Sequence, residues 1–138
     1  DQIQRYRSKL SGPLLDRIDL HLTVARESTS LNCQPDALDT SARGAAKVAV
    51  ARQRQYRRQG CANAFLDLDG LRQHCLLGSS DRLWLESACE RMGLSLRAAH
   101  RILKVSRTIA DLAGREEISA DDVQEAIQYR TLDRQLWV

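Results

Sequence analysis

Between Leu94 and Gly114 the apolar and small positions recur with a helical period: Ala99, Ile102, Leu103, Ser106, Ile109, Ala110 and Ala113 follow the i, i+3, i+4, i+7 spacing. At ~100° per residue they occupy roughly a third of the circumference, and Arg97, His100, Arg101, Lys104 and Arg107 occupy roughly the opposite third. One face is expected to pack and the other to be cationic. Ser95 suits the N-cap, because its hydroxyl can accept from an unpaired amide of the first turn. Gly114 suits the C-terminal stop, where a left-handed residue is needed. Burying each Ile or Leu of the packing face is worth about 1.5–3 kcal/mol before entropy is counted. The pattern predicts that this helix is the spine of a mainly α bundle.

The other segments are arranged around it. Residues 1–10 read as a short polar helix, and Ser11-Gly12-Pro13 breaks it. Leu14 to Arg17 is expected to be one helical turn, since Pro13 suits its start. Ile18, Leu20, Leu22 and Val24 then alternate with Asp19, His21 and Thr23, which predicts a strand. A lone strand has nothing to pair with, so residues 1–25 are expected to belong to a larger sheet and to be poorly ordered alone. Residues 26–40 have no sustained period and read as a linker. Ser41 to Gln59 predicts a long helix rich in Ala and Arg with Gly60 as its stop, and Asp69 to Leu76 a short one. Ser80 to Met92 predicts another, with Ser80 as cap, Leu85, Ala88, Cys89 and Met92 on one face, and Gly93 as stop. The last helix opens at Ser119, with Asp122 three residues on completing a capping box, and packs through Val123, Ala126 and Ile127.

Composition narrows the class. At 138 residues the chain has the length of one domain, and 43% hydrophobic residues suffice for a modest core. Twenty-one basic against eighteen acidic residues leave a net charge of +3, so any claim of nucleic-acid binding rests on local clustering. No apolar run reaches the ~18 residues of a membrane span. Cys33, Cys61, Cys75 and Cys89 form no C-x-x-C pair; free thiols in a reducing cytoplasm are expected, with no zinc cluster or disulfide framework. His74 and Cys75 adjoin, but neighbours point to different helix faces, so no metal site is expected. The only methionine is the internal Met92, so the chain reads as a piece of a longer protein.

Candidate chemistry is sparse. G-x-x-x-x-G-K-[ST], G-x-G-x-x-G and H-E-x-x-H are all absent, and His21, His74 and His100 lie in separate segments. The chain by itself is expected to catalyse nothing. Arg17 sits where a helical turn meets the predicted strand, flanked by Asp16 and Asp19, with an intrachain ion pair as its plainer role. Arg97 lies in the first turn of the central helix, where backbone amides and the dipole favour an anion and a guanidinium would complete a phosphate site. Its plainer role is that of a surface arginine. The helix from Ser41 to Gln59 carries Arg43, Lys47, Arg52, Arg54, Arg57 and Arg58, equally readable as a solvated face or as phosphate-binding.

Ser11-Gly-Pro-Leu-Leu-Asp-Arg-Ile-Asp-Leu20, with Tyr6 to Leu10 before it, resembles the end of the ATPase core in magnesium-chelatase-like AAA+ proteins, within the bacterial YifB/ComM group. The resemblance continues through Val48-x-x-Ala51-Arg52-x-x-Gln55-x-x-Arg58, Asn63, and Gly93-Leu94-Ser95-x-Arg97-Ala98-x-His100-Arg101-Ile102-Leu103-Lys104-Val105. It closes with Arg107 to Gly114 and Glu125 to Arg130, and so covers nearly everything but the linker. It implies that residues 1–25 end an α/β ATPase core and residues 41–138 form its C-terminal helical lid. It further implies an oligomeric, hexameric motor using ATP with Mg²⁺ in the full-length protein, while no bound cofactor is expected on this segment. By the same resemblance Arg17 matches an arginine finger acting in trans, and Arg97 matches the sensor-2 arginine. The Walker segments of such a motor are not in this stretch. Relatives of the group imply DNA as the substrate, of branch-migration or competence type, with Arg52, Arg58, Arg101 and Lys104 as candidate nucleic-acid contacts. A cytoplasmic location and no membrane partner go with this reading.

Other readings divide on testable features. Residues 80–114 could form a helix-turn-helix whose Arg97, His100, Arg101 and Lys104 face a major groove, with no ATPase role. The chain could also be the lid of a true magnesium chelatase subunit, or a passive interaction bundle. The segment Ser11 to Leu20 has no place in a helix-turn-helix protein and favours the lid.

Overall fold

The computed structural model describes residues 14, 17–22, 24 and 41–130. The described residues form five α-helices and one 3-10 turn: α1 (Ser41–Gln59), the turn Asn63–Phe65, α2 (Leu68–His74), α3 (Ser79–Arg91), α4 (Leu96–Leu112) and α5 (Ala120–Gln128). The mainly α bundle expected from the sequence is the fold found. The short helix at 1–10, the break at Ser11–Pro13 and the linker at 26–40 lie outside the described residues.

Helix α4 is the spine, touching α1, α2, the 3-10 turn and α5. Ile102 and Ala110 of α4 meet Leu66, Leu71, Leu85, Cys89, Ile118, Val123 and Ala126 in one apolar cluster. The ends of α4 follow the local chemistry. Ser95 Oγ accepts from the Ala98 amide at 3.2 Å, and Gly114 takes φ +80° just beyond the C-terminus.

The packing face of α4 is wider than periodicity predicts and is turned by one position. Ala98, Ile102, Ser106, Arg107, Ala110 and Asp111 are the buried residues, whereas Ala99 is half-buried and Ala113 exposed. At ~100° per residue these positions sweep roughly 220°, because α1, α2 and α5 approach α4 from different sides. Arg107, expected on the cationic face, lies inside that arc.

Two other boundaries move slightly. Helix α2 starts at Leu68 because the Asp67 carboxylate accepts from the Gly70 amide at 2.8 Å. Helix α3 starts at Ser79 with Gly78 as N-cap and no side-chain cap bond, so Ser80 lies inside the first turn.

The predicted strand is not formed by the described residues between Ile18 and Val24. Among the described residues no strand pairs with it; the His21 amide instead donates to the Tyr129 carbonyl at 2.7 Å. The expected two-sided burial is also missing, since His21 is buried while Ile18, Asp19, Leu20, Leu22 and Val24 are all exposed. The segment lies against the end of α5 through a polar residue and its backbone. Of the helical turn at Leu14 to Arg17, Leu14 is helical and Arg17 closes a turn, its amide donating to the Leu14 carbonyl at 3.0 Å.

Candidate functional site

A shallow cavity of about 470 Å³ opens at the N-terminal end of α4. Leu68, Leu71 and Leu96 give it apolar walls, and Arg97 and Lys104 supply cations beside Asp67 and His100. Arg97 is exposed in the first turn of α4, where the dipole already favours negative charge. The cap bond from Ser95 fixes where that turn begins, and so fixes the place of Arg97. Lys104, two turns further on, donates to the Ala64 carbonyl at 3.1 Å, which ties the 3-10 turn to the cavity.

Asp19 also lines this cavity, and its carboxylate forms an ion pair with Arg101. A second tie lies at the preceding residue, where Arg130 Nη1 donates to the Ile18 carbonyl at 2.6 Å. Arg130 is fully buried, so this guanidinium acts as an internal strut. Residues 17–22 are thereby fastened to the bundle next to the cavity. Arg17 is exposed on that segment, two residues from Asp19.

Behind the cavity lies an interior polar network. The Arg58 guanidinium grips Asp111 with both arms, Nη1 to Oδ1 at 2.6 Å and Nη2 to Oδ2 at 3.0 Å. Asn63 Nδ2 donates to the same carboxylate at 2.8 Å, and the Gln55 side-chain oxygen receives the Asn63 amide at 3.2 Å. From the other side Arg107 reaches Asp111 at 3.1 Å and donates to the carbonyls of Glu116 and Arg115 at 2.6 and 2.7 Å. Burial pushes the Asp111 carboxyl up. The hydrogen bonds from Arg58 and Asn63, with the charges of Arg107 and Arg58, outweigh it and hold the group below its usual 3.8. Burial lowers the Arg107 pKa, an effect that the Asp111 charge opposes.

The candidate residues therefore fall into three environments. Arg97 and Lys104 meet at the cavity, with Arg101 fastened to Asp19. Arg58 belongs to the interior network, its side chain only 25% exposed against 1% for Asp111. Arg52 stands exposed on α1. Sequence reasoning missed Asp111, although its i, i+4 spacing from Arg107 was a signal for an ion pair.

Among the described residues the cysteines are free thiols, Cys75 and Cys89 buried and Cys61 half-buried. Burial raises the Cys75 pKa to about 11, so it stays protonated at neutral pH. Among the described residues no three His, Cys, Asp or Glu side chains cluster as a metal site, and no helix is long and apolar enough to cross a membrane.

Fold and sequence together define the class. Residues 38–130 match the profile described as magnesium chelatase, subunit ChlI C-terminal, and residues 1–31 match that described as magnesium chelatase, subunit ChlI. The chain belongs to the magnesium chelatase family. It is 42% identical to YifB of Escherichia coli (strain K12) over 137 residues, 99% of this chain and 27% of that protein. It is 45% identical to competence protein ComM of Haemophilus influenzae over 136 residues, 98% of this chain and 27% of that protein. A Mycobacterium tuberculosis (strain ATCC 25618 / H37Rv) protein is 37% identical over 131 residues, 92% of this chain and 26% of its own length. The chain thus spans about a quarter of the relatives it matches.

Proposed function

We propose that this chain is the helical lid, with the finger-bearing segment before it, of a cytoplasmic, homo-hexameric AAA+ ATPase that couples ATP binding and hydrolysis to DNA remodelling. One observation carries the reading. Arg97 stands at the N-terminus of α4, and one turn along the same helix Arg101 holds Asp19, two residues from Arg17. A helix that receives phosphate at its N-terminus is therefore joined to the segment that would reach a neighbouring subunit. In the full-length protein ATP with Mg²⁺ supplies the phosphoryl group and its counter-charge. Arg97 contributes a fixed charge to the bound phosphates, and Arg17 stabilises the charge that develops as the bond to the γ-phosphate breaks. The printed name of the Haemophilus relative, competence protein ComM, supports DNA as what is acted on.

A second reading is favoured by the family description itself: the motor subunit of a metal-inserting chelatase, in which the same two arginines do the same work. The helix-turn-helix reading loses support, because Arg101 and Lys104 are engaged within the chain.

The test is steady-state ATP hydrolysis by the full-length protein, with nucleotide binding measured alongside. Arg17→Ala is expected to lose on the order of 10³–10⁵ in rate while still binding nucleotide. Unchanged hydrolysis overturns the finger assignment. Stimulation of wild-type hydrolysis by duplex DNA, as against a porphyrin with magnesium, separates the motor from the chelatase.

A further inference from the structure

Helix α1 is a second cationic surface, away from the cavity. Its 19 residues carry Arg43, Lys47, Arg52, Arg54, Arg57 and Arg58 and no acidic residue. Arg58 is turned into the interior network, but the other five are exposed. Residues 41–50 are all exposed, and the buried residues of α1, Ala51 and Gln55, lie in its second half. At ~100° per residue, Arg43, Lys47, Arg54 and Arg57 share an arc of roughly 80°. At ~1.5 Å per residue that row is about 21 Å long.

We propose that this row of α1 docks on the phosphate backbone of duplex DNA, independently of base sequence. The proposal rests on the DNA-directed reading above and names the surface that reading lacks. Charge complementarity selects the partner. Duplex DNA presents one negative charge per ~1.7 Å of axis, so a rigid row of cations finds phosphates at any register. An acidic protein surface would need carboxylates placed to match the helix. Three of the four cations are arginines, whose forked donors fit phosphate oxygens in pairs. The exposed large apolar residues of the helix, Val48, Val50 and Tyr56, are scattered around its circumference at ~100° per residue and form no single apolar face for a membrane. Helix α4, the other cationic helix, is the weaker candidate, because Arg101 is ion-paired with Asp19 and Arg107 is buried against Asp111.

The experiment measures binding of this chain to a fluorescent duplex of arbitrary sequence as a function of salt. The variant is Arg43→Gln with Lys47→Gln and Arg57→Gln. Arg54 is kept, because its Nη1 also holds the Gly114 carbonyl at 2.9 Å. A charge-matched control carries Arg72→Gln, Arg82→Gln and Arg91→Gln, all exposed on α2 and α3. Four phosphate contacts give wild type a slope of about −3.6 in log K against log salt, and the α1 variant is expected to lose about 2.7 of it. The control is expected to keep nearly the wild-type slope. Equal loss in the control, equal binding by the α1 variant, or no duplex binding by wild type each overturns the proposal. Displacement of the duplex by poly-glutamate at equal charge also overturns it in favour of an acidic protein partner. Circular dichroism confirms that the exposed substitutions leave the bundle folded. The outcome is separable from the ATPase reading: hydrolysis lost in Arg17→Ala without duplex binding by α1 sinks only this inference. Duplex binding by α1 with hydrolysis unchanged in Arg17→Ala sinks only the finger.

Discussion

Asp111 is the residue on which the interior depends. It is 1% exposed and compensated by two guanidiniums and an amide, so removing its charge strands Arg58 and Arg107 against a dry interior. Breaking one partner of such a buried arrangement costs about 3–5 kcal/mol. Asp111→Asn is therefore expected to lower the unfolding free energy by that amount, read as a lower urea midpoint at an unchanged m-value. The pH dependence has a definite sign. The folded pKa lies below the usual 3.8, so the stabilisation is complete above that value and disappears as pH falls through the lower, folded value. Wild type should lose stability steeply below about pH 4, and Asp111→Asn should lack this part of the acid limb. On a helical wheel at ~100° per residue Arg107 falls at the edge of the cationic arc, roughly 40° from Leu103 of the packing face, and the wheel does not say on which side it ends. Only the arrival of α1, bringing Arg58, and the turn at residues 115–116 make it an interior residue.

At the level of elements the local rules held where a side chain does the capping. Ser119 Oγ accepts from the Asp122 amide at 3.4 Å while the Asp122 carboxylate accepts from the Ser119 amide at 2.8 Å, the reciprocal box read from the sequence. Arg115 adds an ion pair to the same carboxylate. Ser119→Ala should cost about 1 kcal/mol, in the range of measured N-cap losses. Ser80→Ala, at the position the sequence suggests as a cap, should be near neutral, because α3 starts one residue earlier on Gly78. Equal losses in thermal melts of the two variants would contradict these assignments. Ser80 failed as a cap for a plain reason: serine followed by helix formers fits both the cap and the first turn, and the preceding Gly78-Ser79 admits either start.

For the whole molecule, the feature with functional reach is the fastening of residues 17–22 to the bundle. In the full-length protein, Asp19→Arg and Arg101→Asp should each depress ATP hydrolysis, and the two together should restore a substantial part of it. Additive loss in the double variant would mean that the pair transmits nothing. The sequence alone determined the five described helices to within a residue or two, the spine, its caps and the family resemblance. Those depend on local periodicity, capping chemistry and motif, which a single chain carries in its order. Tertiary structure decided which cations are interior, which pair and which are exposed: Arg58 and Arg107 close on Asp111, Arg101 on Asp19, and the other cations of α1 are exposed. It also decided that residues 18–22 lie against the bundle with Ile18, Leu20 and Leu22 exposed, because a strand needs a ladder partner and the described bundle offers instead the Tyr129 carbonyl, the Arg130 guanidinium and Arg101. Each of these outcomes joins residues far apart in the chain, and burial of a charge is a property of what arrives around it.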